Sequence, residues 1–128
     1  DRALADELLS TVGVTRWFAD EHDLDAVTAV SGSGPAYFFY LMEAMIDSAQ
    51  SLGLSAEAAQ ELVTQTALGA AAMANQQSAN PAALRAQVTS PNGTTHAACE
   101  QLRLGGFEDL VDRALRAARD RSIELSAP

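Results

Sequence analysis

Residues 36–52 would form a helix that is apolar on nearly every face. Its large apolar side chains are Tyr37, Phe38, Phe39, Tyr40, Leu41, Met42, Met45 and Ile46. A glycine, Gly53, follows the segment and predicts the end of the helix. A helix at the surface of a monomer shows a polar face, whereas one that is apolar all round is buried on all sides. The segment therefore predicts a helix in a large core or between subunits.

The composition favours closely packed helices. Hydrophobic residues make up 48% of the 128-residue chain but aromatic residues only 5%, so most apolar side chains are small. A β-sandwich requires more Val, Ile, Thr and aromatic residues. A chain of this length is sufficient for one domain with a core of its own.

Charge and cysteine content exclude several classes of function. The net charge is −9, and all eight basic residues are arginines, which disfavours binding to nucleic acid or to an anionic membrane. Without a lysine, this chain supplies no Schiff-base or general-base lysine. Cys99 is the only cysteine, and no Cys/His cluster has the spacing of a zinc site. We therefore expect no metal site, no internal disulfide and a cytoplasmic location.

Local signals predict further helices and one strand. Helices are expected over residues 56–76, from Asn80 to about residue 88, over 94–104 and over 107–125, and another over 1–9 precedes a short strand at 14–18. The strand needs a partner, either in another molecule or in a sheet that precedes this chain. The expected fold class is all-α, a bundle of about five helices behind a helix and a strand.

The glycine pair Gly32 and Gly34 permits two interpretations. A dinucleotide-binding loop requires a third small residue three positions after the second glycine, and Tyr37 stands there. We therefore expect a flexible turn capped by Ser33, with Pro35 in the first turn of the next helix. The alternative is backbone that lines a ligand pocket, because glycine permits close approach.

A hydroxyl-rich turn at residues 88–95 leads directly into a helix. We expect free N–H groups at Gly93, Thr94 and Thr95, with the hydroxyls of Ser90 and Thr95 beside them. Such a helix N-terminus can hold a small carboxylate or phosphate. Ordinary helix capping accounts for the same residues, so both interpretations stay open.

Three segments resemble motifs of the pyrroline-5-carboxylate reductases. The positions that match the family signature are Leu84, Val88, Thr89, Ser90, Gly93, Thr95 and Ala98. Residues 25–37 (Asp-Ala-Val-Thr-Ala-Val-Ser-Gly-Ser-Gly-Pro-Ala-Tyr) resemble a second motif, and the Gly-Gly-Phe that ends at Phe107 resembles a third. The chain departs from the pattern at Asn92, where glycine is common, and at His96 and Cys99, where aliphatic residues are common.

The resemblance implies a division into two domains. Residues 20–128 would form a helical dimerisation and substrate-binding domain similar to the C-terminal domain of 6-phosphogluconate dehydrogenase. Residues 1–19 would be the end of an N-terminal Rossmann domain that this chain lacks. That domain would bind most of an NADPH or NADH cofactor, and Ser33, Gly34 and Pro35 would lie near the nicotinamide.

The implied reaction is the reduction of 1-pyrroline-5-carboxylate to L-proline, the last step of proline biosynthesis. A protonated imine already accepts hydride, so the site mainly needs to place the imine carbon against the nicotinamide. No catalytic lysine or histidine is required. The partners would be this small molecule and a second copy of the chain, which would associate through the helices at 36–52 and 56–76. The 128-residue chain alone is expected to be inactive.

The resemblance also implies roles for single residues. Thr95 would be catalytic, with its hydroxyl hydrogen-bonded to the ring nitrogen. Ser90 and the N–H groups of Gly93 and Thr94 would hold the carboxylate. Val88 would line the apolar face of the ring.

Two other classes of protein fit parts of the sequence. A relative of the hydroxyacid dehydrogenases would share the Gly-x-Gly at the start of a long helix, but those enzymes place a catalytic lysine four residues later, where Phe38 stands here. A helical dimerisation module without catalysis would explain the apolar helix alone. A Gly-x-Gly-x-x-Gly motif in the upstream coding sequence would favour the reductase over this module.

Overall fold

The computed structural model describes residues 2–76 and 78–126, and every regular element there is helical. The elements are α1 (Arg2–Leu9), α2 (Asp23–Val27), a π-turn (Thr28–Gly32), α3 (Gly34–Ser51), α4 (Ala56–Ala74), α5 (Pro81–Gln87), α6 (Thr94–Leu104) and α7 (Phe107–Ser126). The prediction of an all-α fold is confirmed. Helix α2 and the π-turn were not predicted.

Side-chain caps and one glycine define the helix ends that the sequence predicts. The Ser55 hydroxyl accepts the N–H of Ala58 at 3.2 Å and begins α4, and the Asn80 side chain accepts the N–H of Ala83 at 3.1 Å and begins α5. Gly53, with φ of 103°, follows the end of α3. These local contacts explain why the predicted bounds agree with the observed ones.

Residues 14–18, predicted as a strand, form no strand in one copy, and the described residues contain no second strand to pair with them. Pairing with another molecule or with a preceding sheet stays a prediction. In one copy the segment folds back on α1. The indole N–H of Trp17 donates to the Asp6 carboxylate at 2.9 Å, and the Arg2 guanidinium lies 5.0 Å from the centre of the Trp17 ring. Its assignment to a Rossmann domain stays a prediction.

The flexible turn predicted at residues 31–35, capped by Ser33, is wrong. Residues 28–32 continue α2 as a π-turn, and Ser33 has a helical backbone with no side-chain cap. The interruption between the π-turn and α3 is explained by Pro35, which lies in the first turn of α3 as predicted. Because proline has no N–H and crowds the carbonyl four residues earlier, a regular helix cannot pass through this point.

The helices pack in two groups. Helices α3 and α4 pack against each other, while α7 packs against α2 and the π-turn and also contacts α6. The Ser122 hydroxyl on α7 donates to the Asp25 carboxylate at 2.7 Å, which joins the last helix to α2. Buried residues among those described are few and small: Ala29, Gly34, Ala59 and Val63.

Much of the apolar surface stays exposed in a single copy. The accessible surface is 10414 Å², whereas a compact monomer of this mass would expose about 6,500 Å². Phe38 and Phe39 on α3 are each 65% exposed. Of the two predicted environments for this helix, the exposed side chains favour a place between subunits.

No helix in the described part of the chain combines the length and the apolar character needed to span a membrane.

Candidate functional site

The turn between α5 and α6 is shaped by hydrogen bonds of its own residues. The Thr89 hydroxyl donates to the Arg85 carbonyl at 2.6 Å and closes the end of α5. The Gly93 N–H then donates to the Ser90 carbonyl at 3.0 Å. This β-turn places Ser90 beside the start of α6.

The N-terminus of α6 presents free donors. The first helical bond of α6 runs from the Ala97 N–H to the Gly93 carbonyl at 3.1 Å. No acceptor among the described residues takes the N–H groups of Thr94, Thr95 or His96. These donors and the helix dipole favour a negatively charged group.

The expectation of a free N–H at Gly93 is wrong, because the β-turn uses that group. The third free donor is instead the N–H of His96. Sequence reasoning missed this donor because helix N-termini show three or four free N–H groups, and which ones are free depends on where the turn closes.

Gly93 permits the close approach of Ser90 in this β-turn because it has no side chain. A Cβ atom at this position would lie 3.2 Å from the Ser90 carbonyl oxygen and 3.5 Å from the Ser90 Cβ. Neighbouring Asn92 has φ of 59°, a left-handed conformation that asparagine tolerates better than most residues. The departure from glycine at Asn92 is therefore compatible with the turn.

The predicted ligand-binding side chains lie at the surface of one copy. Ser90, Thr94 and Thr95 are exposed, and their hydroxyls have no hydrogen-bond partner within the described chain. Val88 is exposed as well. These groups are available to a ligand, but a closed pocket needs walls from outside the described residues of one copy.

The second predicted part of the site lies in the other packing group. Ser33, Gly34 and Pro35 stand at the start of α3, which packs on α4 and the π-turn, whereas α6 packs on α7. Helices α3 and α6, which carry parts of the two predicted segments, therefore pack mainly against different elements of one copy.

There is open space beside the backbone of Gly34. A Cβ atom at Gly34 would meet no atom within 4 Å, and the backbone there does not require a positive φ. Neither the backbone conformation nor the packing of this chain therefore demands a glycine. Residues 31–37 contain no arginine, so this segment has no basic side chain that could neutralise a phosphate group.

Two surface clefts lie away from the turn. One, of about 210 Å³, lies between the π-turn and α7 and is lined by Val30, Leu115 and Arg116 among others. The other, of about 430 Å³, is lined by His22, Asp25, Ser122 and further residues of α2 and α7. Within residues 2–76 and 78–126, no three His, Cys, Asp or Glu side chains are grouped so that they could hold a metal ion.

The ion pairs on α6 and α7 are local and exposed. A hydrogen bond from Arg103 lowers the pKa of the Glu100 carboxyl, and one from Arg116 lowers the pKa of Asp112. Each pair joins residues three or four positions apart on one helix. These charges are therefore neutralised within their own helices.

Together, the fold and the turn define an all-helical domain with an incomplete core and a hydroxyl-lined helix N-terminus. Residues 21–125 match the family described as "Pyrroline-5-carboxylate reductase dimerisation". The chain belongs to this family, and the resemblance seen in its motifs is confirmed.

Curated relatives carry the same name. The chain is 59% identical over 122 residues to a pyrroline-5-carboxylate reductase of Pseudomonas aeruginosa, covering 95% of this chain and 45% of that protein. It is 43% identical over 126 residues to the reductase of Pisum sativum, covering 98% of this chain and 46% of the relative. The chain thus spans less than half the length of these relatives.

Solved structures agree with the fold. A pyrroline-5-carboxylate reductase from Coxiella burnetii superposes with a TM-score of 0.94 at 42% identity, covering 99% of this chain and 47% of that chain. The reductase of Plasmodium falciparum, solved with NADP bound, superposes with a TM-score of 0.88 at 30% identity over 99% of this chain and 48% of its own. Both matches cover the helices described above.

Proposed function

We propose that this chain is the substrate-binding and dimerisation part of an enzyme that reduces 1-pyrroline-5-carboxylate to L-proline with NADPH or NADH. The observation that carries the proposal is the segment at residues 90–96, where three free N–H groups and three free hydroxyls meet at the start of α6. A small cyclic molecule with one carboxylate and one ring nitrogen matches this set of donors and acceptors.

The substrate carboxylate would bind at the N-terminus of α6. The N–H groups of Thr94, Thr95 and His96 point their dipoles toward a negative charge, and the Ser90 hydroxyl adds a further donor. Because Gly93 carries no Cβ, Ser90 can lie close to the backbone of Gly93 at the start of α6. The carboxylate then fixes the orientation of the ring.

The ring nitrogen would bind Thr95. The hydroxyl oxygen of Thr95 can accept a hydrogen bond from the protonated imine N–H, and Val88 supplies an exposed apolar side chain for the ring's carbon atoms. This arrangement holds the imine carbon in one orientation, which is the main contribution needed when the electrophile is already activated.

A nicotinamide cofactor would supply the hydride when it is bound. Ser33, Gly34 and Pro35 would form the surface that this chain offers to the nicotinamide, and the open space beside Gly34 supports that assignment. The related protein from Plasmodium falciparum was solved with NADP, which supports the class of cofactor. Its phosphates would need basic residues from another part of the enzyme.

A second copy of the chain would complete the fold. The exposed apolar surface of α3, defined here as Phe38, Phe39, Leu41 and Met45, needs a partner, and the family is described as a dimerisation domain. A second copy, or an N-terminal domain, would also supply the walls that the turn lacks. The single cysteine, Cys99, is compatible with a reducing compartment such as the cytoplasm.

The test is consumption of NADPH by the complete gene product that contains this chain, supplied with pyrroline-5-carboxylate. The 128-residue chain runs in parallel. We expect activity in the complete protein and none in the chain alone. A complete protein that is folded and binds NADPH but does not reduce the imine would overturn the proposal; oxidation of a 2-hydroxy acid instead would indicate a hydroxyacid dehydrogenase.

A further inference from the structure

The π-turn changes which backbone groups pair at the start of α3. In an α-helix the N–H of Ser33 would donate to the Ala29 carbonyl, but here it donates to the Thr28 carbonyl at 2.8 Å. The Ala29 carbonyl thereby loses its ordinary donor. Because Pro35 has no N–H, the helix cannot restore the regular pattern in the next positions.

Tyr37 supplies the replacement donor. Its hydroxyl donates to the Ala29 carbonyl at 2.9 Å in a partly buried environment. The contact spans Ser33, the one residue between the π-turn and α3. Within the described chain it is the only side-chain hydrogen bond that crosses this junction.

The junction connects the two packing groups of the fold. The π-turn packs with α2 and α7, while α3 packs with α4. The Tyr37 hydroxyl therefore restrains the direction in which α3 leaves the π-turn. The residues whose position depends most directly on that direction are Ser33, Gly34 and Pro35.

We propose that Tyr37 is a positioning residue: its bond to the Ala29 carbonyl sets the backbone of residues 33–35 at the distance that a nicotinamide ring requires. The inference rests on the proposed function, which places the nicotinamide beside these residues. Helical π-turns are frequent at functional sites, and the open space at Gly34 lies directly after this one.

The test compares Tyr37→Phe with Tyr40→Phe in the complete gene product. Tyr40 is the only other tyrosine, lies on the same helix and makes no side-chain hydrogen bond within the described chain, so its variant controls for the loss of a hydroxyl. We expect Tyr37→Phe to raise the KM for NADPH and lower kcat, roughly three- to tenfold, as the loss of one hydrogen bond predicts. The KM for pyrroline-5-carboxylate should stay unchanged.

A second measurement does not depend on activity. In the protein without cofactor, hydrogen–deuterium exchange of a peptide spanning residues 28–36 should be faster in Tyr37→Phe than in Tyr40→Phe. Equal exchange in the two variants, or a lower kcat with both KM values unchanged, would overturn the positioning role. An inactive parent enzyme would instead overturn the proposed function, and the role of Tyr37 with it.

Discussion

Thr95 stands at the start of α6 with an exposed hydroxyl that no described residue engages. Because Gly93 is the N-cap residue and no side chain caps this helix, the Thr95 hydroxyl is not needed to begin α6. Its removal should therefore affect ligand binding and turnover while the helix persists.

We predict that Thr95→Val in the complete enzyme lowers kcat roughly ten- to hundredfold, as the loss of a hydrogen bond to a charged group predicts. Valine keeps the branched shape of threonine without the hydroxyl. Thr95→Ser, which keeps the hydroxyl, serves as the control and should retain most of the activity. Steady-state kinetics that find both variants equal to the parent would remove Thr95 from the mechanism.

Gly93 permits a second prediction. A Cβ at Gly93 would lie 3.2 Å from the Ser90 carbonyl oxygen, which would have to shift by a few tenths of an ångström. Gly93→Ala should therefore raise the KM for pyrroline-5-carboxylate several-fold by misplacing Ser90. Gly105→Ala is the matched control, because a Cβ there would lie at the same distance, 3.2 Å, from the Gln101 carbonyl at the other end of α6. Equal KM values for the two variants would contradict the role of the turn.

For single residues, the sequence predicts which polar groups the candidate site contains but not which of them are hydrogen-bonded to each other. The hydroxyls of Ser90 and Thr95 and the presence of free N–H groups follow from local pattern, and the structure places them at one helix N-terminus. Whether the N–H of Gly93 or of His96 is free depends on the β-turn, and the bond of Tyr37 depends on the π-turn. Neither turn has a periodic signal in the sequence.

The elements follow the same distinction between local and long-range causes. Helices α4 and α5 could be predicted because Ser55 and Asn80 cap them, and α3 because Gly53 ends it. The strand predicted at residues 14–18 needs a partner outside this chain, so one copy, whose described residues contain no strand, does not test it. Helix α2 was missed because its acidic start is similar to a solvated connector.

A further prediction concerns the exposed apolar surface of α3. Phe39→Glu should weaken self-association of the complete protein by a factor of tens or more, because it places a charge in an apolar interface. Leu125→Glu, near the end of α7, changes a residue of similar exposure outside that surface and should leave the assembly intact. Sedimentation of both variants over a concentration series measures the difference, and an unchanged Phe39→Glu assembly would place the interface elsewhere.

The chain as a whole leaves more of its surface accessible to solvent than a compact monomer of its mass would. Its accessible surface of 10414 Å² exceeds the roughly 6,500 Å² expected of a compact monomer. The buried residues named above are small, so a single copy gains little hydrophobic stabilisation. Composition and the apolar segment at residues 36–52 predict this incompleteness, but they do not identify what covers the exposed side chains.

The most direct test of the account is the mass of the 128-residue chain in solution at micromolar concentration. Because α3 and α4 leave an apolar surface uncovered, we predict a helical species of at least twice 13.4 kDa, with a midpoint of thermal unfolding that rises with protein concentration. A helical, cooperatively unfolding species of 13.4 kDa would contradict the claim that a second copy completes this domain.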